Sequence, residues 1–122
     1  MRIANRPPNI IRTFPKDFDF QGWEDYVFES VESGHQLCYY GRGIPRDVKP
    51  PAWLYIVHRG FVVAQHRIVD VEHYSPPICL PTWTGERMMT NGCIVCDGMM
   101  IPAQFPIPWR GFQGYRYCDE LF

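Results

Sequence analysis

Lysine is scarce in this chain: of twelve basic residues, ten are arginine and only Lys16 and Lys49 are lysine. Lysine is the common solubilising cation, whereas arginine stacks on rings and forks onto phosphates, so the bias points to recognition. An excess of charge of one sign is missing too. The formal net charge is −1, which excludes strong non-specific attraction to a polyanion. No apolar run approaches the roughly 20 residues of a membrane span. The charged start, Met1-Arg2-Ile3-Ala4-Asn5-Arg6-Pro7-Pro8, is not followed by the apolar stretch of a secretory signal. The expectation is therefore a cytoplasmic protein with no membrane partner. Three catalytic signatures are absent as well: a Gly-x-Ser-x-Gly elbow, a Walker-type phosphate loop, and a histidine pair at metal-binding spacing on a helix.

What is present is 46% hydrophobic and 20% charged in 122 residues, which excludes a solvated disordered chain and fits one domain spanning 1–122. Twelve prolines, ten glycines and 16% aromatic residues favour short strands joined by turns over a helical bundle. The stretch 9–14, closed by Pro15, reads as an edge strand. Trp23, Tyr26, Val27 and Val31 recur at helical spacing, with Asp19 as cap and Gly34 as stop. A strand over 36–40 leads into a basic loop at 41–51 that holds two glycines and three prolines. The clearest signal is a hairpin, 53–58 and 61–72 around an Arg59-Gly60 turn, in which His58 faces Phe61 and Trp53 faces His66. Leu54, Ile56 and Val63 then share one face and Tyr55, Val57, Val62 and Ala64 the other. Residues 75–91 read as irregular, with a helical turn near 84–89. A short strand at 93–96 ends in an Asp97-Gly98 turn, a proline-interrupted link follows, and 109–118 closes the chain as a strand. Five or six short strands with one or two helices predict an α+β fold, a small, mostly antiparallel and partly open β-barrel.

Five cysteines are an odd number and read as free thiols. Cys93 and Cys96 have the spacing of half a zinc site, which Cys79, Cys118 or a histidine would have to complete. The same residues read rather as buried members of a strand, and a thioredoxin-type role would need a helix start where Asp97-Gly98 stands. No metal or other cofactor is expected. His66, near Asp70 and Glu72, is the acid-base candidate, weighed against a structural histidine on a strand. The charges segregate: acids fill 17–32, while Arg42, Arg46, Lys49, Arg59 and Arg67 follow with Asp47 as the one acid among them. Tyr39, Tyr40, Trp53, Trp83, Trp109, Phe112, Tyr115 and Tyr117 combine with Arg42, Arg46, Arg59, Arg110 and Arg116. Such rings and guanidinium groups hold single-stranded or flipped-out nucleotides, although most of the rings are expected in the core.

The early helix at 23–33, the Gly-Arg-Gly-Ile-Pro-Arg loop at 41–46, the 53–72 hairpin and the closing Trp-Arg-Gly-Phe-Gln-Gly-Tyr-Arg-Tyr run at 109–117 together resemble the PUA-like superfamily of PUA, ASCH, EVE and YTH domains. That resemblance implies a small pseudobarrel that holds RNA or a modified base. Some ASCH members are amidohydrolases acting on modified nucleosides. Here Arg42 stands where their lysine is expected, and Pro45 and Arg46 stand near their acidic position. The reading is thus a nucleic-acid-binding domain, with RNA or a modified or single-stranded base as ligand and no catalytic residue. Its expected site is Arg42, Arg46, Trp53, Tyr55, Trp109, Arg110 and Arg116. A protein partner, with the domain as an interaction module or a phage-type inhibitor, is the second reading. A nucleoside-processing enzyme that uses Glu72 or His66 as base is the third.

Overall fold

The computed structural model describes residues 8–122. Its elements run β1 (Asn9–Phe14), α1 (Phe20–Glu32), β2 (Leu37–Tyr40), β3 (Ala52–His58), β4 (Phe61–Pro81), β5 (Arg87–Pro108) and β6 (Tyr115–Cys118). The strands form one mixed six-stranded sheet in the order β2-β5-β4-β3-β1-β6, an α+β arrangement. No helix among the described residues is long and apolar enough to cross a membrane.

Strand β3 explains the layering. It is apolar on both faces, and alternation sends Leu54 and Ile56 to one side and Tyr55 and Val57 to the other. On the first side they join Ile10, Phe14, Ile68, Ile94 and Cys96 under α1, whose Trp23 and Val27 are buried. On the second side Tyr55 and Val57 meet Ile11, Val62 and Cys118, covered by Trp109, Phe112 and Leu121 from the end of the chain. Each such side chain taken out of water contributes roughly 1.5–3 kcal/mol. Two thin cores therefore share one sheet.

The helix follows its sequence signals. Asp19 accepts a hydrogen bond from the Gly22 amide at 2.9 Å, and Gly34, at φ +77°, ends the helix beyond its Ser33 cap. Several strand readings change. The 9–14 strand is interior, paired in parallel with β3 and antiparallel with β6, because Pro15 falls just past the ladder and blocks neither neighbour. The β3-β4 turn is as read, with His58 opposite Phe61, but a bulge after Ile56 moves Leu54 opposite His66 and Trp53 opposite Arg67. Ala64 in consequence lies opposite Ile56.

The largest change is at 75–91, which is neither irregular nor helical but the paired outer halves of β4 and β5 around a turn at 82–86, and the link read after Gly98 is the remainder of β5, paired with the first half of β4. Proline misled the reading. Pro76 and Pro77 sit in the register shift between His73 and Ile78, and Pro102, Pro106 and Pro108 lie where β5 has β4 alone as neighbour. A strand with one open side tolerates a missing N–H. Asp97-Gly98 is likewise part of β5, with Gly98 at φ +74° beside a bulge. The final strand is confined to Tyr115–Cys118, and 109–114 is a loop laid over the second core.

Main-chain pairing does not close the sheet, so the expected barrel is an open sheet with β2 and β6 as its edges. Yet the Tyr115 hydroxyl on β6 donates to the Tyr40 carbonyl on β2 at 2.8 Å. Laid flat, six strands would hold those edges about 24 Å apart, five spacings of about 4.8 Å. The sheet must curl, and bulges at four places in the β4-β5 ladder supply the bending.

Removing the helix cap gives a direct check on this account of α1. Asp19→Ala should lower stability by about 1 kcal/mol in urea unfolding, with Asp19→Asn retaining most of it.

Candidate ligand pocket

The curl and the β4-β5 arm border a half-open cavity of about 720 Å³, within the range of about 300–1,000 Å³ usual for small-ligand sites. Phe14 from β1, Phe18 from the following turn, Trp23 and Tyr26 from α1, and Tyr39 and Tyr40 from β2 form its walls. The arm's turn flanks it. Thr82 bonds the Glu86 carbonyl through both its amide and its hydroxyl, which sets Trp83 against Trp23 at 5.7 Å, Tyr26 at 5.8 Å and Phe18 at 6.1 Å. Trp23 and Tyr26 stack at 5.6 Å because residues three apart on a helix are neighbours.

One cation faces into this ring-lined space. Arg12, on the inward side of β1, donates from Nη1 to the Tyr115 hydroxyl at 2.9 Å and to the Tyr40 carbonyl at 3.4 Å. Its guanidinium lies 4.8 Å from the Phe14 ring and 5.0 Å from the Tyr115 ring. Its Nε is buried without a partner, and among the described residues no carboxylate pairs with it. A buried donor left unmatched is costly, and a guanidinium with spare donors between aromatic faces is suited to a planar, electron-rich or anionic group.

Behind the rings runs a closed polar chain. Trp23 Nε1 donates to Tyr39 Oη at 3.2 Å, Tyr39 Oη lies 2.7 Å from His66 Nδ1, and His66 Nε2 lies 2.7 Å from the Gly98 carbonyl. The carbonyl can only accept, so Nε2 carries the hydrogen and Nδ1 accepts from the tyrosine. Burial pushes His66 down to about 4 and Tyr39 up. Both ring nitrogens are occupied, so His66 is a structural residue here and has no nitrogen free to act as a base.

The seven residues predicted from the sequence lie elsewhere and are divided. Tyr55 is 0% exposed, and its hydroxyl accepts from the Leu121 amide and donates to the Phe122 carbonyl. Trp53 and Trp109 are half-buried against the second core. Arg116, paired with Ile11 on that face, places its guanidinium 4.3 Å over Phe112. Arg110 is exposed nearby in sequence. Arg42 and Arg46 are exposed on the β2-β3 loop, which is anchored through buried Ile44 and Val48 to the first core. None of the seven lines the cavity. Cys93 and Cys96 are three apart on one strand and so point to opposite faces, Cys96 into the first core and Cys93 toward Glu72 and Tyr74. They cannot grip one ion together, and no metal-binding cluster of three ligands is present among the described residues.

Sequence reasoning passed over Arg12, Phe18 and Cys38, and it left Trp83 in a segment with no assigned structure. Arg12 carried a faint signal as the one charge inside an otherwise uncharged strand. Compared with protein families, curated proteins and solved structures, the chain matches none.

Neutral His66 has a consequence for stability. Its folded value near 4 lies below the unfolded 6.5, so the unfolded chain binds more protons between those values and stability rises with pH there. Chemical unfolding should show stability falling by up to about 3 kcal/mol from pH 6.5 to 4. His66→Gln should remove that component of the slope.

Proposed function

We propose that this domain binds nucleic acid, RNA or a modified or single-stranded base, by taking one unstacked base into the cavity between Trp83 and the α1 and β2 rings. The observation that carries this reading is the Arg12 guanidinium, its Nε unmatched, in a space walled largely by aromatic rings. Ring faces stack on any base, and an arginine adds contact to a base edge or a phosphate. Asp19 and Glu86 line the same cavity, which disfavours a phosphate chain running through it and suits a single inserted base. Arg42, two residues beyond Tyr40, and Arg46 then serve the phosphates outside. The PUA-like resemblance implies the same ligand class, and the curled open sheet supports a pseudobarrel reading by its side-chain bridge between edges. Five free thiols accord with the cytoplasm as the place of action.

The second reading, a protein-interaction module, is favoured by one observation: Met99, Ile101 and Phe105 stand exposed on the second half of β5, Phe105 at 76%. Aromatic interfaces are far less salt-sensitive than phosphate contacts.

Fluorescence anisotropy with single- and double-stranded RNA and DNA oligonucleotides, at low and high salt, tests the choice. Single strands should bind, more weakly as salt rises. Trp83→Ala should weaken binding roughly 5- to 150-fold, the equivalent of about 1–3 kcal/mol for one stacked base, while Trp109→Ala leaves it unchanged. The reverse pattern would move the site to the other face of the sheet, and no binding at low salt would reject nucleic acid altogether.

A further inference from the structure

A pair of thiols stands outside the reading above. Cys38 lies opposite Val95 and Tyr40 opposite Cys93 in the β2-β5 ladder, so Cys38 and Cys93 are diagonal neighbours on one face of two antiparallel strands. The two thiols act on each other electrostatically. Cys38 is exposed and Cys93 buried. Two further groups converge on Cys93: its thiol lies 3.5 Å from Glu72 Oε1, and the Tyr74 hydroxyl reaches its sulfur at 3.4 Å and the same carboxylate at 2.9 Å. Gly92 permits this approach, since a Cβ there would stand 2.2 Å from the Glu72 carbonyl.

We propose that Cys38 and Cys93 form a reversible dithiol centre oxidised by hydroperoxides, with Cys38 the attacking sulfur, Cys93 the resolving sulfur and Glu72 the carrier of the resolving proton. The asymmetry of the pair supports these roles. The Cys93 thiol beside it holds Cys38 down at about 7, against burial and the Glu72 charge, while Cys93 is pushed well up by its neighbour Cys38 and by burial. A substantial share of one partner is thus thiolate at neutrality, and thiolate is the nucleophile.

In the first step Cys38 Sγ attacks a peroxide oxygen. An S–O bond forms, the O–O bond breaks, and the departing oxygen takes a proton from solvent, leaving a sulfenic acid. Next, Cys93 gives its proton to Glu72 and attacks Cys38 Sγ. The S–S bond forms, the S–O bond breaks, and the leaving hydroxide takes the Glu72 proton as water. Two electrons pass from the two sulfurs to the peroxide, and a small dithiol reverses the bond by exchange. Diagonal Cα atoms stand roughly 7–8 Å apart and a disulfide tolerates about 6.8 Å, so β2 must move by about an ångström. As an edge strand paired with β5 alone, it has the freedom to do so.

The test is hydrogen peroxide on the reduced full chain, read by thiol counting, intact mass and peptide mapping, with tryptophan fluorescence to verify folding. Two of the five thiols should be lost and a peptide linking Cys38 to Cys93 recovered, reversibly with dithiothreitol. Cys93→Ser should halt at a sulfenic acid on Cys38 that dimedone captures, and should move the pH midpoint of Cys38 alkylation upward, the groups facing it being Cys93, Glu72, Tyr40 and Tyr74. Cys38 should react about tenfold faster than exposed Cys79. Equal oxidation of Cys38 and Cys79, or no linked peptide from folded protein, would overturn the proposal. Neither outcome bears on base binding, which is measured separately on reduced protein.

Discussion

The bridge from Arg12 and Tyr115 to the Tyr40 carbonyl is the constraint on which the rest of this structure depends. It joins the two free edges of an open sheet by side chains where no ladder does. Together with the Phe14–Tyr39 ring contact and the bond from the Asp47 amide to the Tyr117 hydroxyl, it holds β1 and β6 over β2 beside α1. The same bridge fixes the guanidinium between two rings and leaves its Nε unmatched. Structural and ligand-seeking roles thus meet in one side chain, which is why a half-buried cation persists here without a carboxylate to pair with it.

That arrangement separates two kinds of aromatic residue. Rings on the second face pack with the chain's own end, and Tyr55 is wholly covered there with its hydroxyl bonded to Leu121 and Phe122. Rings around the cavity meet one another stacked, tilted or edge to face and line the space between. A ring packed on all sides contributes to folding alone, whereas a ring beside a void forgoes contact that a flat ligand can supply.

The sequence disclosed the parts of the fold governed by local chemistry and concealed those governed by distant pairing. The capped helix at Asp19, the loop at 41–51 and the Arg59-Gly60 turn follow from residue type and spacing. The long β4-β5 arm did not, because Pro76, Pro77, Pro102, Pro106 and Pro108 look like breakers until it is known that those stretches have a neighbour on one side only. The site was obscured for a related reason. Seven residues were chosen for ring and guanidinium character, and character alone does not reveal which face of a sheet they occupy. A bulge at Ile56 and a curl that brings residue 115 to residue 40 are properties of the assembled sheet. Arg12 was passed over because nothing local marks its strand as interior.

Strand β2 joins the two proposed sites. Cys38 and Tyr40 both line the cavity, and they sit on the same face of a four-residue strand whose main chain is held by β5 on one side and, through the Tyr40 carbonyl, by Arg12 and Tyr115 on the other. A shift of about an ångström at Cys38, the scale that closing a disulfide demands, cannot stop there, because two residues along a strand are one rigid step of the pleat. It stretches hydrogen bonds of 2.8 and 3.4 Å at Tyr40 and so alters the seat of the guanidinium. The thiol state and the shape of the ring-lined space are coupled through the backbone of one short strand, whichever ligand that space receives.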